Sequence, residues 1–585
     1  MSSDHASFRR LIDIGIALSA EKNTDKLMET ILLEAKDIGN ADGGTLYFRT
    51  KEDTLKFEIL RNDSLGIAQG GTTGEEINIR PQLMYTEEGA PNEKQIVSYA
   101  ALTGETLNIV DAYDSTDFDF SGTKKFDEGT GYRTTSVLTV PLKNNQDDVI
   151  GVLQLLNALD RESGEVIAFS SEIQPMIEAL ASQAAVALDN ATLIEAQENL
   201  LDSFIALMAR AVDAKSPYTG GHCERVPELT EMLTQAACEI ETGPFAEFNL
   251  TEEEWYELHI GAWLHDCGKL TTPEYVVNKS TKLETITDRI HEIRMRFEVV
   301  KREAIIACQE KIIAGEGDAD LLRADLADTL NSLDDDFNFI AECNLGGEFM
   351  GDELADRVKQ IADMTWTRTL SDRVGIAHEE LKRKQREPEK ELPCVEPLLA
   401  DRVDHVIDHD TVVHSADPNN PYGFRVDVPE NKYNLGEIYN LCISRGTLTD
   451  EERFKINDHI VQTIVMLESL PFPKHLERVP EIAGGHHEKM NGTGYPRKLN
   501  GDDMSLPARV MAIADVFEAL TAADRPYKSP KKLSDSIRIM SLMVKDQHLD
   551  PELFRLFLES GVYRDYADRY LQPGQIDEID IASYL

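Results

Sequence analysis

Five short segments of this chain carry residue types suited to metal-assisted chemistry. GGHCERV (220–226) offers His222 and Arg225 at an expected helix start. WLHDCGKL (263–270) offers adjacent His265 and Asp266, with Lys269 four residues beyond the histidine. His459 lies within FKINDHIVQTI, and His486 and His487 precede a Gly-rich turn in AGGHHEKMNGTGYP (483–496). Asp515 sits in the otherwise apolar stretch VMAIADVFEAL. Imidazole and carboxylate together suit borderline first-row transition metals. Asp266 has two carboxylate oxygens and can bridge two ions while His265 ligates one of them. Paired ions ready a water nucleophile near neutral pH and clamp a phosphoryl oxygen, the two-metal route to phosphodiester hydrolysis. Lys269 follows His265 by one helical turn, so its ammonium can face the same pocket and offset phosphate charge. Taken singly, each of these residues is more often a hydrogen-bonded core group than a ligand. A carboxylate among Met511, Ala512, Ile513, Val516 and Phe517 is nevertheless costly to bury without a cation. Its coincidence with the five histidines and Asp266 argues for one shared cage.

The elements that must position these groups fall into three stretches. Residues 1–172 mix helix and strand. Leu11, Ile14 and Leu18, then Leu27, Ile31, Leu32 and Ala35, have helical spacing. The runs GTLYF (44–48), LKFEIL (55–60), TLNIV (106–110), TSVLTVPL (135–142) and VIGVLQLLN (149–157) read as strands between turns. Residues 173–214 contain no glycine, and Ile177, Leu180, Ala184, Ala187, Ala191, Ile194 and Leu201 recur with helical period. They predict a long connecting helix, suited to packing on a partner helix or on its own domain. Residues 215–585 read as mainly helical, with a charged, helix-rich insertion at about 280–445 between the second and third metal-type segments. In it an amphipathic run (Ile286, Ile290, Ile293, Phe297, Val300) is followed by acidic, loop-like sequence. The expected fold class is α+β: an antiparallel sheet with flanking helices, the connecting helix, and an all-α bundle carrying the insertion.

A length of 585 residues calls for two or three domains. The net charge of −47 repels nucleic-acid backbones and anionic lipid at long range, so neither a nucleic-acid polymer nor a membrane is an expected partner. Local cations or metals can still reverse that field inside a pocket. No apolar run approaches the roughly 20 residues that cross a bilayer, and the start MSSDHASFRRLIDIG is unlike a signal peptide. Seven scattered cysteines without a CxxC pair fit a reducing cytoplasm. His405 and His409, at i, i+4 spacing with Asp408 between them and His414 nearby, have a zinc-type spacing for a helix. Without a phosphate-binding neighbour they read as a solvated helix face.

Two family resemblances follow from these motifs. HDCGK resembles the HDxGK signature of the HD-domain metal phosphohydrolases. HHEKMNGTGYP with ADVFEALTAADRPYK resembles the HD-GYP subgroup, whose members hydrolyse cyclic di-GMP. The likeness covers residues 203–279 and 446–545. It implies that His222, His265, Asp266 and Asp515 hold one metal, and that Asp266, His459, His486 and His487 hold a second. By the same resemblance Lys269, Arg525 and Lys528 contact substrate phosphates, and Tyr495 reaches substrate or a partner. The implied cofactors are two divalent ions, Fe or Mn first, with Co, Ni or Zn as alternatives. Some HD-GYP proteins carry a Glu, associated with a third metal, where this chain has Tyr218, so a dinuclear site is expected.

ADGGTLYF (41–48) and GYRTTSVLTVPLKNNQDDVIGVLQLLNA (131–158) resemble GAF domains, small-ligand sensors that often dimerise through flanking helices. Of the NKFDE pattern of cyclic-nucleotide-binding members, Asn157, Phe169 and Glu172 are retained, while Ala158 and Ile173 depart from it. Together the resemblances imply a cytoplasmic, homodimeric, GAF-regulated phosphodiesterase that opens cyclic di-GMP to linear pGpG, GMP or both, with catalytic roles for Asp266 and Lys269. Cyclic GMP-AMP is the alternative substrate. A non-catalytic nucleotide-binding adaptor, for instance one bound to a diguanylate cyclase, is the alternative class.

Overall fold

The computed structural model describes residues 2–21, 23–86, 88–215, 221–347, 349–410, 417, 419–523 and 530–585. The chain divides into two compact units, Met1–Leu201 and Asp202–Leu585. No helix among the described residues is long and apolar enough to cross a membrane.

The first unit opens with α1 (Ser2–Ala20) and α2 (Thr24–Gly39). Strands β1 (Ala41–Arg49), β2 (Thr54–Asn62), β3 (Ile67–Gly70) and β4 (Gln82–Leu83) follow, then α3 (Ile96–Thr103), β5 (Leu107–Ile109) and α4 (Ser121–Thr130). Strands β6 (Val137–Lys143), β7 (Val149–Leu159) and β8 (Val166–Ile167) lead into α5 (Gln174–Lys215). The sheet is antiparallel in the order β3-β2-β1-β7-β6-β5, with β4 on β2 and β8 on β7. Successive side chains of a strand face opposite sides, so Leu46, Leu153 and Leu155 pack under α1, α2 and the first half of α5, whereas Tyr47 and Val152 pack with α3. Asn157 is a structural clamp: its side-chain amide donates to Arg133 O (2.8 Å), and its Oδ1 accepts from Thr135 N (2.7 Å). The alanine-rich part of α5, through Ala184, Ala187 and Ala191, packs into its own unit's core. From Leu193 onward the helix shows exposed apolar side chains, Leu193, Leu200, Phe204 and Leu207 among them.

The second unit contains α6 (His222–Cys238), α7 (Glu252–Leu264), α8 (Glu274–Val277), α9 (Ile290–Ala314), α10 (Ala319–Leu345) and α11 (Asp352–Ala362). Next come β9 (Thr365–Arg368), α12 (His378–Lys384), β10 (Cys394–Pro397), β11 (Val406–Ile407), β12 (Tyr433–Asn434) and α13 (Glu437–Leu441). Helices α14 (Asp450–Glu468), α15 (Val479–Gly484), α16 (Leu506–Thr521), α17 (Leu533–Lys545), α18 (Pro551–Glu559) and α19 (Val562–Tyr570) complete it. Helices α6, α7 and α15–α19 share one core around Leu229, Leu258, Ile513, Phe517 and Phe557.

The stretch at 280–445 has a core of its own, built from Ile293, Phe297, Leu333, Ile340, Val358 and Leu398. Three expectations change there. The helix begins at Ile290 rather than Ile286, which is 89% exposed, because Asp288 accepts from the Ile290 N–H and Thr281 and so holds the preceding segment as a loop. The acidic sequence after α9 is not loop-like but forms α10, since Leu333, Phe337 and Ile340 keep helical spacing and pack on α9. Two short antiparallel ladders, β9–β10 and β11–β12, also interrupt the helices.

The segment with His405 and His409 is a further correction. His405 ends a 3-10 turn and runs into β11, so no helix presents the pair, and His405 is buried. Burial, then Arg289 and Arg402, push its pKa down to about 4 from 6.5. The folded chain therefore refuses a proton that the unfolded chain accepts as pH falls from 6.5 toward 4, and stability is lost across that window. At 1.36 kcal/mol per unit the loss is about 3 kcal/mol. Urea unfolding at pH 7.5 and 4.5 should show this drop, and His405→Gln should reduce it by that order. Separately, Phe557→Ala should destabilise the second unit by ~3–5 kcal/mol, read by calorimetry.

Candidate metal centre

The site is assembled by helix ends and by one very close approach. A Thr251–Glu254 capping box starts α7, which ends at Leu264 so that His265 and Asp266 leave the helix together. The next turn, Cys267–Thr271, lies directly on α14. A Cβ on Gly268 would collide with the His459 carbonyl oxygen and the Thr463 backbone nitrogen, so this position admits only glycine. Gly268 N–H donates to Thr463 Oγ1 (3.0 Å), and that hydroxyl donates to His265 O (3.2 Å). This contact brings Asp266 beside His459.

All seven sequence-predicted ligands converge. The ligand atoms of His222, His265 and Asp266 lie within 4.8 Å of one another, as do those of His459, His486 and His487. Asp266 stands between the triads. Its Oδ2 is 3.1 Å from His222 Nε2 and 3.2 Å from His265 Nε2, and its Oδ1 is 3.2 Å from His459 Nε2. Asp515 Oδ1 is 3.4 Å from His222 Nε2. The His265 and His486 rings are 4.9 Å apart, and those of His486 and His487 are 4.2 Å apart.

Backbone carbonyls set the direction of three imidazoles. The Nδ1 atoms of His265, His459 and His486 bond to Ala262 O (2.6 Å), Ile456 O (2.5 Å) and Ala483 O (2.8 Å), each three residues earlier. Nδ1 thus carries the proton and Nε2 keeps its lone pair. His265 Nε2, His459 Nε2, His486 Nε2 and Asp266 Oδ1 are buried without a hydrogen-bond partner among the described residues. Native interiors rarely leave such atoms unpaired, and four converging orphan acceptors fit a bound cation.

Charge follows the same geometry. Burial disfavours the Asp266 carboxylate, but Lys269, His265 and His222 outweigh it and hold its pKa well below the usual range. Lys269 Nζ donates to Asp266 Oδ2 at 2.5 Å. Burial and then neighbouring imidazoles push His486 down to about 4, and His487 falls as well. Burial pushes the Cys267 thiol up to about 11, and that of Cys223 higher still, so neither is a ready thiolate ligand.

Two carboxylates that motif reading passed over complete the site. Glu518, one turn after Asp515 on α16, is 2.5 Å from His222 Nδ1 and accepts from Arg225 Nε (2.9 Å). Burial raises its pKa, but His222 and Arg225 overcome this and hold it at about 2. His222 is raised to about 10, because Glu518 and Asp266 overcome the burial that would lower it. Glu488 follows His487 and accepts from Arg497 N (2.6 Å) and Leu499 N (2.9 Å), fixing the turn that carries Tyr495. Both are acids inside the quoted motifs, and that was their only sequence signal. The Tyr495 ring stacks on His487 at 4.9 Å. Tyr218, His414, Arg525 and Lys528 lie outside the described residues.

Comparison with known proteins matches residues 23–188 to the GAF domain family and residues 393–553 to the HD domain family. The chain thus carries a GAF domain followed by an HD domain. A 3′3′-cGAMP-specific phosphodiesterase 3 of Vibrio cholerae is 39% identical over 120 residues, 20% of this chain and 25% of that protein. A cyclic di-GMP phosphodiesterase of Pseudomonas aeruginosa is 36% identical over 132 residues, 22% of this chain and 31% of that protein. A cyclic di-GMP phosphodiesterase of Thermotoga maritima is 34% identical over 140 residues, 23% of this chain and 37% of that protein. The chain therefore spans between 25% and 37% of the length of these curated relatives. The GAF domain of an Acinetobacter phosphoenolpyruvate-protein phosphotransferase is 14% identical, with a TM-score of 0.23, covering 32% of this chain and 97% of that one. The HD match begins inside the 280–445 stretch and leaves His222, His265 and Asp266 ahead of it.

Because Glu518 orients His222, Glu518→Gln should weaken metal affinity by about 10–100-fold. Chelator competition on the folded variant reads this directly.

Proposed function

We propose that this chain is a metal-dependent phosphodiesterase that opens a cyclic dinucleotide, cyclic di-GMP first and cyclic GMP-AMP as the alternative, to linear pGpG, GMP or both. The observation that carries the reading is the gathering in one cage of buried Nε2 and Oδ1 atoms that have no hydrogen-bond partner among the described residues, flanked by a lysine. His222, His265, Asp266 and Asp515 would hold one divalent ion, and Asp266, His459, His486 and His487 a second, with Fe or Mn expected first. Such ions supply Lewis acidity toward a phosphoryl oxygen and an acidified water.

The chain's own groups do the rest. Lys269 keeps Asp266 ionised and places an ammonium where phosphate charge develops. Glu518 and the three carbonyls fix the imidazole orientations in advance. Tyr495, stacked on His487, forms the wall along which substrate enters, and Arg525 and Lys528 are assigned to its phosphates.

The GAF domain would bias this site through α5. The last turns of that helix touch two ligand-bearing segments. Asp213 Oδ2 accepts from Gly221 N–H (3.0 Å) at the start of α6, and Lys215 Nζ donates to the carbonyls of Lys269 (3.3 Å) and Leu270. Leu193, Leu200 and Leu207 are exposed at intervals of seven, a seam that fits a second copy of the helix and hence a homodimer.

Asp266→Asn in the full chain should lower hydrolysis of cyclic di-GMP at least about a hundredfold, more than an outer partner would, while the unfolding transition persists. Chelation should abolish turnover in the unmodified chain, and Mn or Fe should restore it. Undiminished chromatographic product from the variant would refute the assignment.

A further inference from the structure

The 280–445 stretch does not stay apart from the site. Its segment 422–427 is stitched onto the turn that carries Tyr495 and onto α14. Arg425 N–H donates to Pro496 O (2.8 Å), Arg497 Nε donates to Tyr422 O (2.8 Å), and Lys498 pairs with Asp427 (3.2 Å). Phe424, 4% exposed, inserts against Ile460, Val461 and Ile464 of α14. Between these elements lies a groove of about 450 Å³, walled by Arg425, Arg453, Phe454, Asn457, Gly494 and Tyr495. That volume is within the range of small-molecule sites.

Tyr495 is shared. It lines the groove, and its ring stacks on His487 of the metal centre, so one ring separates the two spaces. Arg425 comes from the inserted segment and Arg453 from α14. Among the described residues neither guanidinium has an ion-pair partner. Of the groove's carboxylates, Asp427 is matched by Lys498, and Asp450 sits in the first turn of α14, where the helix dipole favours it. Two arginines without an ion-pair partner among the described residues line one cavity, and in a chain of net charge −47 they offer a local attraction for an anion that the global field would otherwise oppose.

A cyclic dinucleotide carries two phosphodiesters on opposite sides of its ring, and only one can be at the metal centre at a time. We infer that this groove seats the remote half of the dinucleotide, with Arg425 and Arg453 on its second phosphate and Phe454 beside its purine. Guanidinium forks match phosphate oxygens in pairs, and aromatic faces accept any base. The inserted segment is thereby part of the substrate site. This inference rests on the cyclic dinucleotide reading of the metal centre.

The test compares the full-length chain with Arg425→Ala, Arg425→Lys, Arg453→Ala and, as a surface control on α10, Arg323→Ala. Calorimetry gives Kd for cyclic di-GMP, and bis(p-nitrophenyl) phosphate, which lacks a second nucleotide, reports the metal centre alone. The expected result is a Kd raised tenfold or more by each alanine in the groove and less by Arg425→Lys, with unfolding midpoints maintained and Arg323→Ala without effect. The loss in kcat/KM should be at least tenfold greater for cyclic di-GMP than for the small diester. Equal losses on both substrates, an unchanged Kd, or no binding by the unmodified chain would overturn the groove. Failure of the unmodified chain to cleave the small diester would instead overturn the phosphodiesterase reading, and the Kd comparison would still decide the groove.

Discussion

The second unit is organised around a carboxylate that has been taken out of water. Asp266 is 2% exposed, and an isolated ionised carboxylate in that setting would neutralise itself rather than stay charged. It is held ionised by Lys269, His265 and His222, and it sits in a cage of imidazoles that come from four separate helical segments. The polar cage thus fixes where α6, α7, α14 and α15 must meet. The apolar core around Phe517 and Phe557 supplies the stability that lets such a cage persist.

Gly268 shows how a backbone position serves that cage. Its missing side chain lets the turn after Asp266 touch the backbone of α14, and the hydroxyl of Thr463 on α14 then bonds to the backbone on either side of Asp266, at His265 O and Gly268 N. Tight approach at this point, rather than any property of Asp266 itself, puts the second carboxylate oxygen against His459. The imidazoles need no dedicated partner to face inward, because the carbonyl three residues back takes the Nδ1 proton of three of them. His222 is the exception. At the first position of α6 it has no such helical carbonyl, and Glu518 takes that role.

Buried polar contacts tie the edge of the 280–445 stretch to α14 and brace the stretch internally, in addition to its own core. Lys279 reaches both Glu452 Oε1, at 2.8 Å on α14, and Asn440 Oδ1, at 3.3 Å on α13. Glu437 accepts from Arg296 (2.9 Å), and from the Ala400 N–H (3.0 Å). Removing one member of such a pair leaves the other buried and uncompensated. With the bonds from Arg425 and Tyr422 to the turn, the stretch places its residues 422–427 beside Tyr495.

Motif and period carried much of this in the sequence alone. The five main strand runs and the long helix follow from alternation and helical spacing, and the seven residues that converge at the candidate site stand out as imidazoles and carboxylates in apolar surroundings. Those are local properties, readable wherever they occur. The structure alone decided the rest. Glu518 and Glu488 look like ordinary acids until their partners 296 and 9–11 residues away are in place. His405 and His409 have helical spacing in a segment that is not a helix, and Arg425 looks like one more surface cation until Phe424 anchors it beside the turn. Each depends on which distant segments touch, and contact between distant segments is fixed by packing of the whole unit, not by the residues of either segment.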